Sequence, residues 1–199
     1  GGGLPISVTN NDDSTSILRC TGEYTALSIR QTFTCLDEAL GVNIVDGLRY
    51  YARVFDTTAQ SALCSFISEQ LNLGAAGSLP GLTFADTTGK RKVGSSGVAY
   101  QKRWNGRRLL QYGKYYDYGK GEPTEQHVAP MPLILAHLVS CLVQSGVLAP
   151  DSELVTAIVN DYEAGHFITP HCDSKFYPRP IVTISLLSAA PIFFGTIAR

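Results

Sequence analysis

His171 and Asp173 stand one residue apart at the end of the run Asn160-Asp-Tyr-Glu-Ala-Gly-His-Phe-Ile-Thr-Pro-His171-Cys172-Asp173. In an extended segment, residues two apart point to the same side. An imidazole nitrogen and a carboxylate oxygen can then meet on one ion. Such an N/O pair suits Fe(II), Mn(II) or Zn and supplies two members of a 2-His-1-carboxylate facial triad, which leaves coordination positions open. With four His and ten Asp in the chain, chance yields about 0.2 such pairs, so the spacing alone is a weak signal. The same two residues also suit a hydrogen bond that merely pins a turn. Their setting favours the metal: β-rich runs precede and follow them, and a metal pair needs a rigid mount.

A second feature is segregated charge. The formal net charge is −1, yet no acidic residue lies between Asp86 and Asp117. That stretch holds Lys90, Arg91, Lys92, Lys102, Arg103, Arg107, Arg108 and Lys114, half of the chain's 16 basic residues. Self-repulsion makes such clustering costly unless a partner neutralises it. Tyr100, Trp104, Tyr112, Tyr115 and Tyr116 are interleaved with these cations. Cations for phosphates and flat rings for bases are the composition of a single-stranded nucleic-acid surface. The bland alternative is a solvated basic loop beside a core aromatic cluster.

The elements that must position these groups are read from period and punctuation. At 199 residues, 44% apolar and 17% charged, the chain is globular, one large domain or two small ones, and not intrinsically disordered. No apolar run has the length of a membrane span, and the start does not read as a secretion signal. The only methionine is Met131, so a piece of a longer product is expected. Five cysteines without C-x-x-C spacing exclude a disulfide framework and a zinc ribbon, and reduced thiols are expected. Thr25–Ile29 reads as a strand, Phe33–Leu40 as a short helix and Tyr50–Phe55 as a strand. Thr57 and Gln60 have capping-box spacing ahead of an apolar face of Leu63, Phe66, Ile67 and Leu71, with Gly74 placed to end the helix. Gly77–Gly97 reads as hairpin or loop. A second helix has Pro132 at its first turn, carries Ile134, Leu138, Cys141, Leu142 and Ser145 on one side, and stops at Gly146. Leu154–Val159, Ile181–Leu187 and Pro191–Phe194 are strand candidates. Two helices followed by short strands predict an α+β fold, a helical layer on an antiparallel sheet.

From about Gly106 to Gly195 the chain resembles the AlkB family of Fe(II)/2-oxoglutarate dioxygenases. Within it, the chain is most similar to the branch that removes the N6-methyl group from adenosine in RNA, plant members included. The resemblance rests on R-R-L-L-Q-Y-G-K-Y-Y-D-Y-G (Arg107–Gly119), Asn160-x-Tyr162-x-x-Gly165, His171-x-Asp173, R-P-I-V-T-I-S-L-L-S (Arg179–Ser188) and F-F-G (Phe193–Gly195). Gly47–Leu73 fits more loosely, and about three quarters of the chain is covered.

The resemblance implies a double-stranded β-helix (jelly roll) with supporting N-terminal helices over 41–199, preceded by an extension over 1–40. It implies His171 and Asp173 as iron ligands, Asn160 and Tyr162 against 2-oxoglutarate, and Tyr116 beside the substrate. Lys102, Arg103, Trp104, Arg107, Arg108 and Tyr112 are the nucleic-acid-binding candidates. The implied reaction uses dioxygen and 2-oxoglutarate to hydroxylate an N-methyl carbon, after which formaldehyde is released. The implied partner is single-stranded mRNA, in the nucleus or cytoplasm, with neither a membrane nor an obligate protein partner. Two departures stand out. The family's second iron histidine and two arginines lie beyond F-F-G, and no histidine follows His171, so a jelly roll truncated at its C-terminus is expected. Leu109 stands where related RNA demethylases carry a lysine. Two other readings stay open: an RNA-binding module with an inert site, and an AlkB-like dioxygenase acting on DNA or protein.

Overall fold

Asp56 opens the longer helix of the computed structural model, which describes residues 6–9, 17–20, 36–37, 42–43, 45–51, 54–88, 106–152 and 154–192. The Asp56 carboxylate accepts the Ala59 N–H at 2.8 Å, and Gln60 Nε2 donates to the Phe55 carbonyl at 2.9 Å. These bonds satisfy groups that a helix start leaves orphaned. The cap therefore lies one residue ahead of the expected Thr57–Gln60 box, and the helix, α1, spans Thr57–Ala75. Its end falls beyond Gly74. Gly77 N–H donates to the Gly74 carbonyl and Ser78 N–H to the Leu73 carbonyl, each at 2.9 Å, the paired bonds of a Schellman ending. Gly74 serves packing instead, since a Cβ there would overlap the Phe84 ring. The second helix, α2, spans Leu133–Gln144 and ends at Gly146 as its spacing predicts, with Gly146 N–H on Val143 and Val147 N–H on Leu142. Its expected apolar side is buried throughout.

The strands are short. β1 (Ile6–Thr9) pairs with β2 (Ile17–Cys20), and β3 (Leu36–Asp37) with β4 (Val42–Asn43), both antiparallel. Strand pairing at Leu36–Asp37 replaces the helix expected over Phe33–Leu40, while Thr25–Ile29 lies outside the described residues. Tyr50 and Phe55 occupy isolated bridges rather than a continuous strand. β5 (Phe84–Asp86), β6 (Arg108–Tyr112) and β9 (Ala157–Asp161) form an antiparallel sheet in the order β5-β6-β9. β7 (Tyr115–Asp117) and β8 (Glu122–Thr124) form a separate antiparallel ribbon.

The chain divides into two compact units. One comprises Ser65–His137 and Glu153–Ile181 and holds the three-stranded sheet and the ribbon. Its core centres on β6, where Leu109, Leu110, Gln111 and Tyr112 are all buried, with Leu71, Thr83, Tyr115 and Val128. Thr83 joins three segments: its hydroxyl donates to the Pro80 carbonyl at 2.6 Å and accepts the Ala129 N–H at 2.7 Å, and its carbonyl accepts the Gln111 N–H at 2.8 Å. The other unit comprises Gly1–Cys64, Leu138–Ser152 and Val182–Arg199, with Val45, Phe55, Ala59, Leu63, Leu142 and Leu148 buried.

Two helices with small antiparallel sheets make the fold α+β, as expected. A jelly roll of two facing sheets is not formed among the described residues. Ile181–Leu187 alternates exposed and half-buried positions, the period of a strand, but joins no ladder among the described residues. Pro191 and Ile192 are likewise unpaired, and the third expected strand is displaced from Leu154–Val159 to Ala157–Asp161. Cys141 is disulfide-bonded, which corrects the expectation of reduced thiols at that position; Cys64 and Cys172 are free. No helix is long and apolar enough to cross a membrane among the described residues.

Candidate active site

β9 delivers the chain at Asp161 into the loop that carries His171 and Asp173. The loop turns back at once, with His166 N–H on the Glu163 carbonyl at 3.0 Å. His171 Nδ1 lies 2.7 Å from the Thr169 carbonyl. A carbonyl only accepts, so that nitrogen carries a proton, and it is the neutral form of the ring that offers a lone pair on Nε2. Nε2 is 3.6 Å from Asp173 Oδ1. That separation is longer than a hydrogen bond but within ion-pair range of a protonated imidazole. Two donors on one ion, at bonds of about 2.1 Å, lie roughly 3.0–3.4 Å apart, so a small closure brings both onto a shared metal. The orientation of His171 through its second nitrogen is what a metal-ligating imidazole requires. Both side chains are exposed, at 42% and 57%, so their mutual attraction adds little stability. No group of three His, Cys, Asp or Glu able to hold a metal occurs among the described residues.

Arg179 shapes the same loop. Its Nη1 donates to the Ser174 carbonyl at 3.3 Å and the Tyr177 carbonyl at 3.1 Å, and Nη2 to the Asp173 carbonyl at 3.3 Å. One planar guanidinium thus holds three main-chain oxygens, that of Asp173 being on the candidate ligand itself. Ser174 Oγ reaches the Gly121 carbonyl, at 3.5 Å, in the turn between β7 and β8.

That turn carries an aromatic cluster. The Tyr116 ring meets Tyr118 edge-on with centroids 4.9 Å apart, and Tyr177 at 5.8 Å with the planes tilted by 38°. The Arg107 guanidinium lies 5.4 Å from the Tyr118 centroid, within cation–π range. Burial pushes the Tyr118 and Tyr162 phenols up, and in both the positive charge of Arg107 pulls the other way. Tyr177 is pushed up to about 12 by burial, reinforced by Tyr118 and Tyr116. These three phenols therefore remain neutral hydrogen-bonding groups at neutral pH, and the Tyr177 hydroxyl is buried with no hydrogen-bond partner.

The structure thus gathers Tyr116, Tyr162 and Arg107 from the predicted residues, and adds Tyr118, Tyr177 and Arg179. Tyr118 stands inside the quoted Arg107–Gly119 run and Arg179 heads R-P-I, so both were visible as letters without a role; nothing in the sequence marks Tyr177. Asn160 is exposed on β9, opposite Leu109 of β6. Tyr112, expected to face nucleic acid, is 1% exposed with its hydroxyl on Gln70 Oε1 at 3.3 Å, so its ring packs in the core and cannot stack on a base. Arg107 is also interior, at 3% exposed. Arg108 pairs across the sheet with Asp161, Nε to Oδ2 at 2.8 Å. Lys102, Arg103 and Trp104 lie outside the described residues.

Comparison with curated proteins makes this chain a member of the AlkB family. Among them, RNA demethylase ALKBH9B of Arabidopsis thaliana is 31% identical over 176 residues, covering 84% of this chain and 32% of that protein. The chain thus spans about a third of the length of that relative. No protein-family model and no solved structure matches.

Proposed function

We propose that this chain contributes the iron-binding and substrate-facing part of an oxidative RNA demethylase that removes N6-methyl groups from adenosine. The observation that carries the proposal is the His171–Asp173 pair, with Nδ1 on the Thr169 carbonyl and Nε2 facing Oδ1 at 3.6 Å. His171 and Asp173 would hold Fe(II), and Asn160 and Tyr162 would hydrogen-bond 2-oxoglutarate. Bound together, metal and 2-oxoglutarate supply the oxidation of an N-methyl carbon by dioxygen. The protein's own residues do the rest. Tyr116 and Tyr118 offer ring faces and edges for a flat base. The Tyr177 hydroxyl, buried without a partner, is a group that a bound ligand satisfies. Arg107 keeps positive charge beside Tyr118 and Tyr162. Lys102, Arg103 and Trp104 would grip the single-stranded mRNA. The jelly roll implied by the family is the proposed setting for Ile181–Leu187.

The likeness to an RNA demethylase supports RNA over DNA or protein as substrate. Incubation of the full-length protein with N6-methyladenosine RNA, Fe(II) and 2-oxoglutarate should release formaldehyde. His171→Ala or Asp173→Ala should abolish that release and leave RNA affinity nearly unchanged. Preserved turnover would remove the metal assignment, and intact RNA binding without any turnover would leave a binding module.

A further inference from the structure

Tyr116 pairs with Pro123 across the β7–β8 ribbon. Proline has no N–H to give to a ladder, and the main chain of Tyr116 is turned the other way, towards the outer edge of β7. A two-stranded ribbon leaves such an edge unpaired. Here the edge is taken by a side chain. Gln111, near the end of β6 and 2% exposed, accepts the Tyr116 N–H on Oε1 at 2.7 Å and donates Nε2–H to the Tyr116 carbonyl at 3.3 Å. Its primary amide meets the donor and the acceptor of one residue, as a neighbouring strand would.

We infer that Gln111 is a positioning residue for Tyr116: its buried amide fixes the Tyr116 main chain and so the direction of the ring offered to substrate. A buried polar group among Leu109, Leu110 and Tyr112 costs free energy unless both its ends are used, and both are. Gln111 is itself anchored, because its own N–H is bonded to the fully buried Thr83. A turn stiffens the route from β6 to β7. Gly113 has φ +82°, and a Cβ on it would overlap the Val155 carbonyl, so the chain reverses there in one conformation. The Tyr116 ring is therefore referenced to the central strand of the sheet and not to a free hairpin.

This inference rests on the proposed substrate-side role of Tyr116, and two measurements separate the two. Gln111→Met keeps length and volume while deleting the amide, and Gln111→Leu is a second variant should the first melt early. Hydrogen exchange of the Tyr116 amide in the full-length protein reports the clamp directly and should accelerate by at least about tenfold, with the Leu110 amide unchanged. Affinity for a single-stranded oligonucleotide carrying N6-methyladenosine should fall about fivefold in Gln111→Met and about tenfold in Tyr116→Ala. In the double variant the Gln111 change should add nothing, because it acts through the missing ring. Unaltered Tyr116 exchange, or a Gln111→Met loss that persists in full on the Tyr116→Ala background, would overturn the inference. Accelerated exchange with RNA affinity untouched by either variant would leave the clamp standing and sink the role given to Tyr116.

Discussion

Arg179 holds three carbonyl oxygens of the Asp173 loop with one flat group, and a lysine ammonium, a point charge on a flexible stem, cannot span them. Arg179→Lys should weaken Mn(II) binding, a redox-stable probe of the His171–Asp173 site, by about tenfold, as measured by calorimetry. An unchanged affinity would show that the loop keeps its shape without the guanidinium. The tyrosines give a second expectation. Burial pushes the Tyr112 phenol up to about 12, above its ordinary value near 10. The folded chain then keeps a proton that the unfolded chain releases, so stability is full below pH 10 and is lost as pH rises towards 12. Full titration costs of order 2–3 kcal/mol. Melting temperatures at pH 8, 10 and 11 should fall more steeply in the natural protein than in Tyr112→Phe. His171 and Asp173 stand out in the sequence as a proposed pair because their chemistry would lie in two side-chain types at a spacing that puts them on one side. Arg179 does not, because it acts on carbonyl groups that every residue carries.

α1 and the strand it packs on illustrate what period alone misses. Gly74 reads as a helix stop, yet the helix runs past it, and the glycine makes room for the Phe84 ring of β5. Gly74→Ala gains roughly 1 kcal/mol of helix propensity but meets an overlap worth about 1–3 kcal/mol. The second effect wins, and the urea midpoint should drop. A rise would mean that the ring can move aside. α2 was legible to within about two residues at its ends, because Pro132 and Gly146 act locally and its apolar positions repeat with helical period. β7 and β8 were not. Each has three residues and one contains Pro123, so their pairing depends on the turn between them and on the Gln111 amide, neither of which leaves a pattern of hydrophobic residues.

The distribution of charge over the whole molecule decides how it meets a polyanion. Arg107 and Arg108 of the basic cluster are engaged within the fold, the first beside Tyr118 and the second with Asp161. The other six clustered cations, Lys90, Arg91, Lys92, Lys102, Arg103 and Lys114, are the proposed phosphate contacts. If about four of them touch the backbone, single-strand affinity should fall with log[salt] at a slope near −3. A flat response would mark the segment as a solvated loop. The α+β class was legible because helix caps and strand runs are local, whereas a jelly roll is a matter of long-range pairing, and Ile181–Leu187 has a strand's alternation without a ladder among the described residues. Pairing also governs how copies of the chain meet one another. An intruding strand that tried to zip onto β7 would find the Tyr116 donor and acceptor already engaged by Gln111. Fibre seeding from that side is blocked by a single amide, and replacing it would open a docking rail for other chains as well as loosening a ring.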